Sequence, residues 1–198
     1  MKKVCVYLIS LLFFLQTSLL AYSPDPKTFV IELVNDAISK LSDKNLNNEQ
    51  KAVFIEKVAL ENVDINALGL YTLGELRKST DKQILKKYQQ AFEKYFLKTL
   101  TSRLTDYSSS AFSVLSVNKK SANYTIVSSK IVPSDGNPEI KIDWRVYTKN
   151  SNKPLIRDLI VEGLSLARTQ KEEFASILNS NNNDINFLID KLQQFVEN

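Results

Sequence analysis

The spacing of the apolar residues changes near Tyr107, and this change constrains the fold more than any other feature of the chain. Before this point apolar residues recur every three or four positions, which is the period of an amphipathic helix. After it they recur every second position, as in a half-buried strand, and from Leu164 the helical period returns. This order predicts a single α+β domain over residues 22–198, with about six helices and a four-stranded antiparallel sheet.

Six helices are predicted from this spacing. The short third helix is expected to end at Gly74, because glycine readily takes the left-handed conformation that ends a helix. The fourth and longest helix begins at Asp81, and its polar side carries several lysines and Arg103, which we interpret as a solvent-exposed face. The predicted helices cover about residues 26–41, 49–60, 64–73, 81–107, 164–178 and 185–196.

Four strands are predicted between Phe112 and Val161. The segment Pro133–Pro138 is rich in Gly, Pro, Asn and Asp and predicts the hairpin connection between the second and third strands. The third strand alternates most regularly, which predicts one buried and one solvated face. Its apolar face carries Ile140, Ile142, Trp144 and Val146, and its other face carries Lys141, Asp143, Arg145 and Tyr147.

The first 21 residues are typical of an export signal. Lys2 and Lys3 form a basic start, an apolar run follows them, and Ala21 supplies a small residue for cleavage. The apolar run has about 12 residues, fewer than the roughly 20 that a membrane-spanning helix needs. We therefore expect a signal peptide over residues 1–21 and a mature chain that begins near Tyr22. An uncleaved anchor or another cleavage point is the alternative.

The composition excludes most metal and nucleophilic chemistry. The chain has no histidine, and its one cysteine, Cys5, and one methionine, Met1, lie in the predicted signal. Catalytic zinc, haem, iron–sulfur clusters and the usual protease nucleophiles all need His, Cys or Met. The four glycines are too dispersed for a phosphate-binding loop. We expect no metal, no cofactor and no catalytic residue.

Charge gives no indication of a nucleic-acid partner. The net charge is +4 for the whole chain and falls to +2 once Lys2 and Lys3 are removed, whereas nucleic-acid binders carry a concentrated basic face. Asp143, Asp158 and Glu162 lie on or beside neighbouring predicted strands and could in principle serve carboxylate chemistry. Pairing with nearby arginines or with solvent is the simpler expectation for them.

Three segments together resemble a known protein family. The pair Leu73-Gly74 precedes a long helix, and the third predicted strand contains Ile142–Arg145 with the order apolar, Asp, aromatic, Arg. Asp158–Leu166 then has the order Asp, apolar triplet, Glu-Gly, apolar, Ser, apolar, and Phe174-Ala175 follows it. These segments resemble the MlaC family of periplasmic phospholipid-binding proteins, also known as the toluene-tolerance auxiliary family. The order of helices and strands agrees with that family over nearly the whole mature chain.

The resemblance implies a soluble periplasmic carrier of phospholipid. Its partners would be an inner-membrane ABC transporter with a substrate-binding ring and an outer-membrane lipoprotein–porin complex, and its role would be to maintain the lipid asymmetry of the outer membrane. The acyl tails would occupy an apolar cavity between a curved sheet and the helices, with the head group near the surface. We expect this carrier to act as a monomer.

For the lining of that cavity we select apolar residues on the inward faces of the predicted strands and helices, each of which could equally be sealed core. Three cations on or beside the strands, Lys141, Arg145 and Arg157, are candidates for a weak, non-selective contact with the lipid phosphate. The selected lining residues are Leu68, Phe92, Phe96, Leu100, Leu104, Tyr107, Ile142, Trp144, Val146, Leu159, Val161 and Leu164.

Two other functions are compatible with the sequence. A periplasmic enzyme that uses carboxylates would lose turnover on Asp143→Asn. A periplasmic adaptor without a ligand would have a filled core, and its thermal midpoint would not respond to added lipid. A lipid carrier, in contrast, should purify with bound phospholipid.

Overall fold

The structure is a computed structural model that describes residues 22–105, 109–133, 136–149 and 153–198. Within these residues the chain forms seven helices and five strands. In chain order the elements are α1 (Pro26–Leu41), α2 (Asn48–Asn62), α3 (Ile65–Thr72), α4 (Leu76–Ser79), α5 (Lys82–Leu104), β1 (Ser109–Ser121), β2 (Tyr124–Pro133), β3 (Ile140–Tyr147), β4 (Leu155–Val161), β5 (Leu164–Ser165), α6 (Leu166–Asn179) and α7 (Ile185–Glu197).

The predicted α+β class and the predicted antiparallel sheet are both confirmed. The described residues contain one more strand and one more helix than expected. The extra strand is β5, which has two residues, and the extra helix is α4, which has four. Elements this short contain too few residues to show a period in the sequence. The long helix ends at Leu104, and Tyr107, where its end was predicted, lies outside the described residues.

Polar side chains fix the starts of the long helices. The carboxylate of Asp25 accepts a hydrogen bond of 2.9 Å from the backbone nitrogen of Thr28 at the start of α1. Asn47 and Gln50 form a reciprocal capping box at the start of α2. Asp81 accepts hydrogen bonds from the backbone of the first turn of α5. These caps satisfy amide groups that have no partner within the helix.

The five strands form an open, curved sheet in which every strand pairs with its sequence neighbours. Val127 on β2 lies opposite Trp144 on β3, and Trp144 lies opposite Leu159 on β4, so these three side chains share one face. The register between β3 and β4 shifts by one residue, which leaves Arg157 as an extra residue in β4. Such a bulge redirects the side chains beside it.

A tight turn joins β4 to β5. Its two central residues, Glu162 and Gly163, have positive φ values of 49° and 83°. A type I′ hairpin turn requires positive φ at both positions, and glycine meets this requirement without steric cost. The sequence predicted that a helix would begin at Leu164. Instead, the turn returns the chain along β4 as β5 before α6 begins at Leu166.

The helices pack on the sheet unequally. Helix α1 packs across β1 and β2, whereas α3 and α6 pack against β4. Helix α5 packs on α2, α3 and α7. The helices therefore belong to two regions, one built on the sheet and one built around α5.

Candidate functional site

The buried apolar side chains form two clusters rather than one continuous core. The first, which we call the sheet cluster, lies between α1 and the inner face of the sheet and contains Phe29, Val30, Leu33, Val34, Val127, Trp144, Val146 and Ile156. The second, which we call the helical cluster, is formed mainly by α3, α5, α6 and α7. It contains Ile65, Leu73, Tyr88, Ala91, Phe92, Phe174, Leu178, Ile185, Leu188, Ile189 and Leu192.

The two clusters meet at the connection between α2 and α3. Val63 is partly buried and packs against both clusters, and it forms a parallel bridge with Ile156 on β4. The backbone nitrogen of Asp64 donates a hydrogen bond of 2.9 Å to the carbonyl oxygen of Ile156. The guanidinium of Arg157 donates to the Asp64 carboxylate at 2.8 Å. This segment is one of the places where the helical region is attached to the sheet.

Three of the predicted lining residues are buried within the clusters. Trp144 and Val146 belong to the sheet cluster, and Phe92 belongs to the helical cluster. The Trp144 indole nitrogen donates a hydrogen bond of 2.8 Å to the hydroxyl of Ser129, which fixes the orientation of the ring. In the structure these three residues contribute to core packing.

Seven other predicted lining residues are only half-buried. Half-buried apolar side chains retain surface that a ligand or a moving element can cover. Leu100, Leu104 and Val161 belong to neither cluster, so they support neither core. The half-buried set is Leu68 and Phe96, which pack against the helical cluster, Ile142 and Leu159, which pack against the sheet cluster, and Leu100, Leu104 and Val161.

Two predicted lining residues stand apart from this set. Leu164 lies in β5 rather than on a helix, and its side chain is 69% exposed. Tyr107 lies outside the described residues. Its place relative to the other predicted lining residues therefore stays a prediction.

Arg145, one of the three head-group candidates, is engaged within the fold. It forms an ion pair of 3.2 Å with Asp158. Asp158 is buried and also accepts hydrogen bonds from the Ser165 hydroxyl at 2.7 Å and from the Ala167 backbone nitrogen at 3.0 Å. These contacts attach the start of α6 to the sheet, and they account for the Asp158 carboxylate in structural terms.

The two other head-group candidates differ in whether an ion pair within the fold holds them. Arg157 binds Asp64, and its guanidinium carbon lies 3.4 Å from the centre of the Tyr147 ring, a cation–π contact. Lys141 is exposed, and its ammonium group forms no ion pair with another described residue. Lys141 is therefore the candidate cation left available for an anionic ligand.

Tyr88, which is buried, and Tyr124, which is half-buried, keep their protons. Burial raises the pKa of Tyr88, whose hydroxyl lies 2.6 Å from that of Thr72. Burial also raises the pKa of Tyr124, although the charge of Arg145 acts in the opposite direction. A raised tyrosine pKa favours the neutral phenol. Neither tyrosine therefore provides a phenolate nucleophile at neutral pH.

Two open pockets lie on the surface of the described chain. One has a volume of about 390 Å³ and lies between α3, α4 and α6, where Leu73, Leu76 and Leu178 line it beside Lys171. The other has a volume of about 200 Å³ and is lined by Lys141, Asp143, Ile160, Glu162 and Gly163. Neither pocket is lined by a predicted apolar lining residue.

The described residues bring together no group of three or more His, Cys, Asp or Glu side chains that could hold a metal ion. None of the helices in the described ranges is both long enough and apolar enough to cross a membrane.

Local sequence signals do not reveal the contacts that join the two regions. Asp64 precedes an apolar helical residue, which is a signal for a helix N-cap, and its side chain does accept from the Ala67 backbone nitrogen. Its second partner, Arg157, is 93 positions further along the chain. No local signal connects residues at that separation. Ser129 shares the inward face of β2 with Val127, but alternation alone does not reveal its bond to Trp144.

Comparison with known proteins gives a family and a fold. A family model described as MlaC protein matches residues 31–194. Among solved structures, the chain is similar to the phospholipid-binding protein from Ralstonia solanacearum, which was solved in complex with a phospholipid. The two are 17% identical, the match covers 87% of this chain and 97% of that chain, and the TM-score is 0.72. At this identity the likeness shows that the fold is shared.

Proposed function

The chain belongs to the MlaC family, and on this basis we propose that it is a periplasmic phospholipid carrier. It would exchange lipid with an inner-membrane ABC transporter and with an outer-membrane lipoprotein–porin complex. The family match over residues 31–194 is the observation that carries the proposal. The Ralstonia solanacearum protein supports a phospholipid as the ligand, because the same fold holds one there.

The division of the interior into two clusters supports a binding site between the sheet and the helices. Half-buried apolar side chains occur on both sides of this division, on α5 and on the strands. The proposed acyl-chain contacts are those that belong to neither cluster, Leu100, Leu104 and Val161, followed by the partly buried residues at the two clusters. The acyl chains would cover this apolar surface and complete the interior.

The free energy of phospholipid transfer favours an apolar site between the sheet and the helices. Burial of each methylene group is worth about 0.8 kcal/mol, so two chains of about 15 carbons gain on the order of 20 kcal/mol relative to water. A phospholipid within a bilayer already has this gain. A carrier therefore needs a site that nearly matches the bilayer, so that transfer in either direction is close to balance. Its partners would then set the direction of transport.

The head group needs only weak binding at the surface. Lys141 has an exposed ammonium group, whereas Arg145 and Arg157 are held by Asp158 and Asp64. A single accessible lysine can attract any phosphate as a point charge without selecting the rest of the head group. This arrangement favours a carrier of several phospholipid classes.

The chemistry of the side chains favours binding over catalysis. The chain has no histidine, and its only cysteine is Cys5. The Asp158 carboxylate has three structural partners. Asp143 and Glu162 line the smaller pocket beside Lys141, but nothing there resembles a nucleophile with its base. No covalent step is needed for a carrier.

Lipid extraction tests the proposal directly. The full chain is expressed in a Gram-negative host, purified from the periplasmic fraction without detergent, and examined by native mass spectrometry and by organic extraction. We expect bound phospholipid in close to stoichiometric amount. A folded protein, verified by circular dichroism, that carries no phospholipid would contradict the proposal and would favour a ligand-free adaptor.

A transfer assay tests the carrier role separately from binding. Donor vesicles with a fluorescent phospholipid are mixed with acceptor vesicles, and the protein is expected to increase the rate of exchange in proportion to its concentration. Binding without exchange would support a lipid-binding protein but not a carrier.

A further inference from the structure

The start of the described chain is seated against α1 by several contacts. The Tyr22 hydroxyl donates a hydrogen bond of 2.8 Å to the Asp36 carboxylate. The Tyr22 ring lies 6.1 Å from that of Phe29 in an edge-to-face arrangement and packs against the sheet cluster. The backbone nitrogen of Ser23 donates a hydrogen bond of 2.7 Å to the Glu32 carboxylate. The chain is therefore positioned from Tyr22 onwards.

The surroundings of Tyr22 are acidic. Glu32 and Asp36 on α1 and Glu61 on α2 all act electrostatically on the Tyr22 side chain. Burial, together with these carboxylates, raises the pKa of the Tyr22 hydroxyl above its ordinary value. None of the three carboxylates forms an ion pair with a Lys or Arg of the described chain. Three carboxylates thus lie around Tyr22, and no described Lys or Arg is ion-paired with them.

We propose that hydrolysis of the Ala21–Tyr22 peptide bond creates an ammonium group on Tyr22 that forms an ion pair with Glu32 and so fastens the start of the mature chain to α1. Water is the co-reactant: its oxygen stays on the new Ala21 carboxylate, and the Tyr22 nitrogen gains the protons that make it an ammonium. A signal-cleaving peptidase of the host would catalyse this step. The inference rests on the export part of the proposed function.

The short length of chain between Tyr22 and Ser23 allows the new charge to approach its partner. Consecutive residues are about 3.8 Å apart along the chain, so the Tyr22 nitrogen lies within about 6.5 Å of the Glu32 oxygen that binds Ser23. Opposite charges about 4–6 Å apart stabilise each other's charged form. Before hydrolysis the same nitrogen is part of an uncharged peptide bond. Removal of the signal therefore creates a positive α-ammonium group beside the carboxylates that surround Tyr22.

The first experiment determines the mature N-terminus and its pKa. Intact mass and N-terminal sequencing of protein from the periplasmic fraction should give Tyr22 as the first residue. The pKa of its α-amino group, measured by NMR after isotopic methylation, should exceed the ordinary range of about 7.7–8.0 by about half a pH unit. Glu32→Gln should return it to that range. Glu56→Gln changes an exposed carboxylate on α2 that is not among the three acting on Tyr22, and it should leave the α-amino pKa raised.

The second experiment measures stability against pH. The raised pKa predicts that the ion pair contributes fully below the ordinary α-amino pKa and is lost as the pH rises through the folded value. The chain that begins at Tyr22 should therefore have a higher thermal midpoint at pH 7 than the same chain with an acetylated N-terminus, and the difference should vanish by about pH 10.

Two results would overturn the inference: a mature chain that begins at another residue, or an α-amino pKa that is the same with Glu32→Gln as in the native protein. Phospholipid extracted from the same preparations tests the carrier function independently. A lipid-bound protein with an unperturbed α-amino group would contradict the ion pair alone.

Discussion

The indole nitrogen of Trp144 donates a hydrogen bond of 2.8 Å to the hydroxyl of Ser129 on the neighbouring strand. Ser129 in turn donates to the carbonyl oxygen of Ile142 at 3.1 Å. Ser129 is 1% exposed and Trp144 is 7% exposed, so water cannot readily replace either partner. This short chain of polar contacts orients the only tryptophan of the protein inside the sheet cluster.

Ser129→Ala should remove the partner of the Trp144 indole and leave a buried donor unsatisfied. We expect the free energy of unfolding, measured by urea denaturation, to fall by about 1–3 kcal/mol. Ser128→Ala is the matched control, because Ser128 is the adjacent residue of β2 and lies on the opposite face. It should change stability by less than about 0.5 kcal/mol. Equal losses of unfolding free energy in the two variants would show that the hydrogen bond to Trp144 contributes no extra stability.

Asp158→Ala should detach the start of α6 from the sheet. The substitution removes the partner of Arg145 and the acceptor for Ser165 and Ala167. We expect a loss of about 1.5–3 kcal/mol in unfolding free energy, because these are hydrogen bonds to a charged group. Asp143→Ala on β3 serves as the control and should have a smaller effect. A loss of equal size at Asp143 would contradict the anchoring role of Asp158.

Asp25→Ala should destabilise α1 in a pH-dependent way. The pKa of Asp25 is lowered, chiefly by the hydrogen bond from the Thr28 backbone. A carboxyl whose pKa is lower in the folded chain contributes stability above its ordinary pKa, and that contribution is lost as the pH falls through the folded value. Loss of this N-cap should cost about 1 kcal/mol at pH 7.

The thermal midpoints of the native and Asp25→Ala proteins should therefore converge as the pH is lowered from 7 to about 3. Asp25→Asn is the control, because asparagine caps a helix without titrating in this range. A difference between native protein and Asp25→Ala that stays constant over this pH range would show that the Asp25 charge contributes nothing to the cap.

Leu100→Asp should weaken lipid binding more than it weakens folding. Leu100 is half-buried and belongs to neither cluster, so it is a proposed acyl-chain contact that supports no core. A carboxylate there would have to be desolvated by bound lipid, and a penalty of about 1.4 kcal/mol already lowers affinity tenfold. We expect about a tenfold loss of co-purified phospholipid, measured by extraction. Leu60→Asp, at a 51% exposed position on α2, should retain the lipid.

Local patterns predict the elements of this fold well. The alternation along β3 assigns its two faces correctly, with Trp144 and Val146 buried. Asp81 marks the start of α5 because its side chain supplies the acceptor that the first turn lacks. The predictions fail where the elements are short. The sequence pattern places Leu164 in a helix, because two residues of strand cannot establish a period of two.

The candidate site is less accessible to sequence analysis, because it depends on distant contacts. Period identifies Phe92 and Leu100 as members of the apolar side of one helix, yet Phe92 is buried in the helical cluster and Leu100 belongs to neither cluster. Charge identifies Arg157 as a possible phosphate ligand, but its ion pair with Asp64 forms only when α3 and β4 come together. Spacing along the chain contains no information on these partners.

The split of the interior has a mechanical consequence. Each region keeps its own buried side chains, and Val63 is in contact with both. The two regions are therefore held together by discrete contacts, at Val63 and Asp64 on one side and at the Asp158 carboxylate on the other, rather than by one shared core.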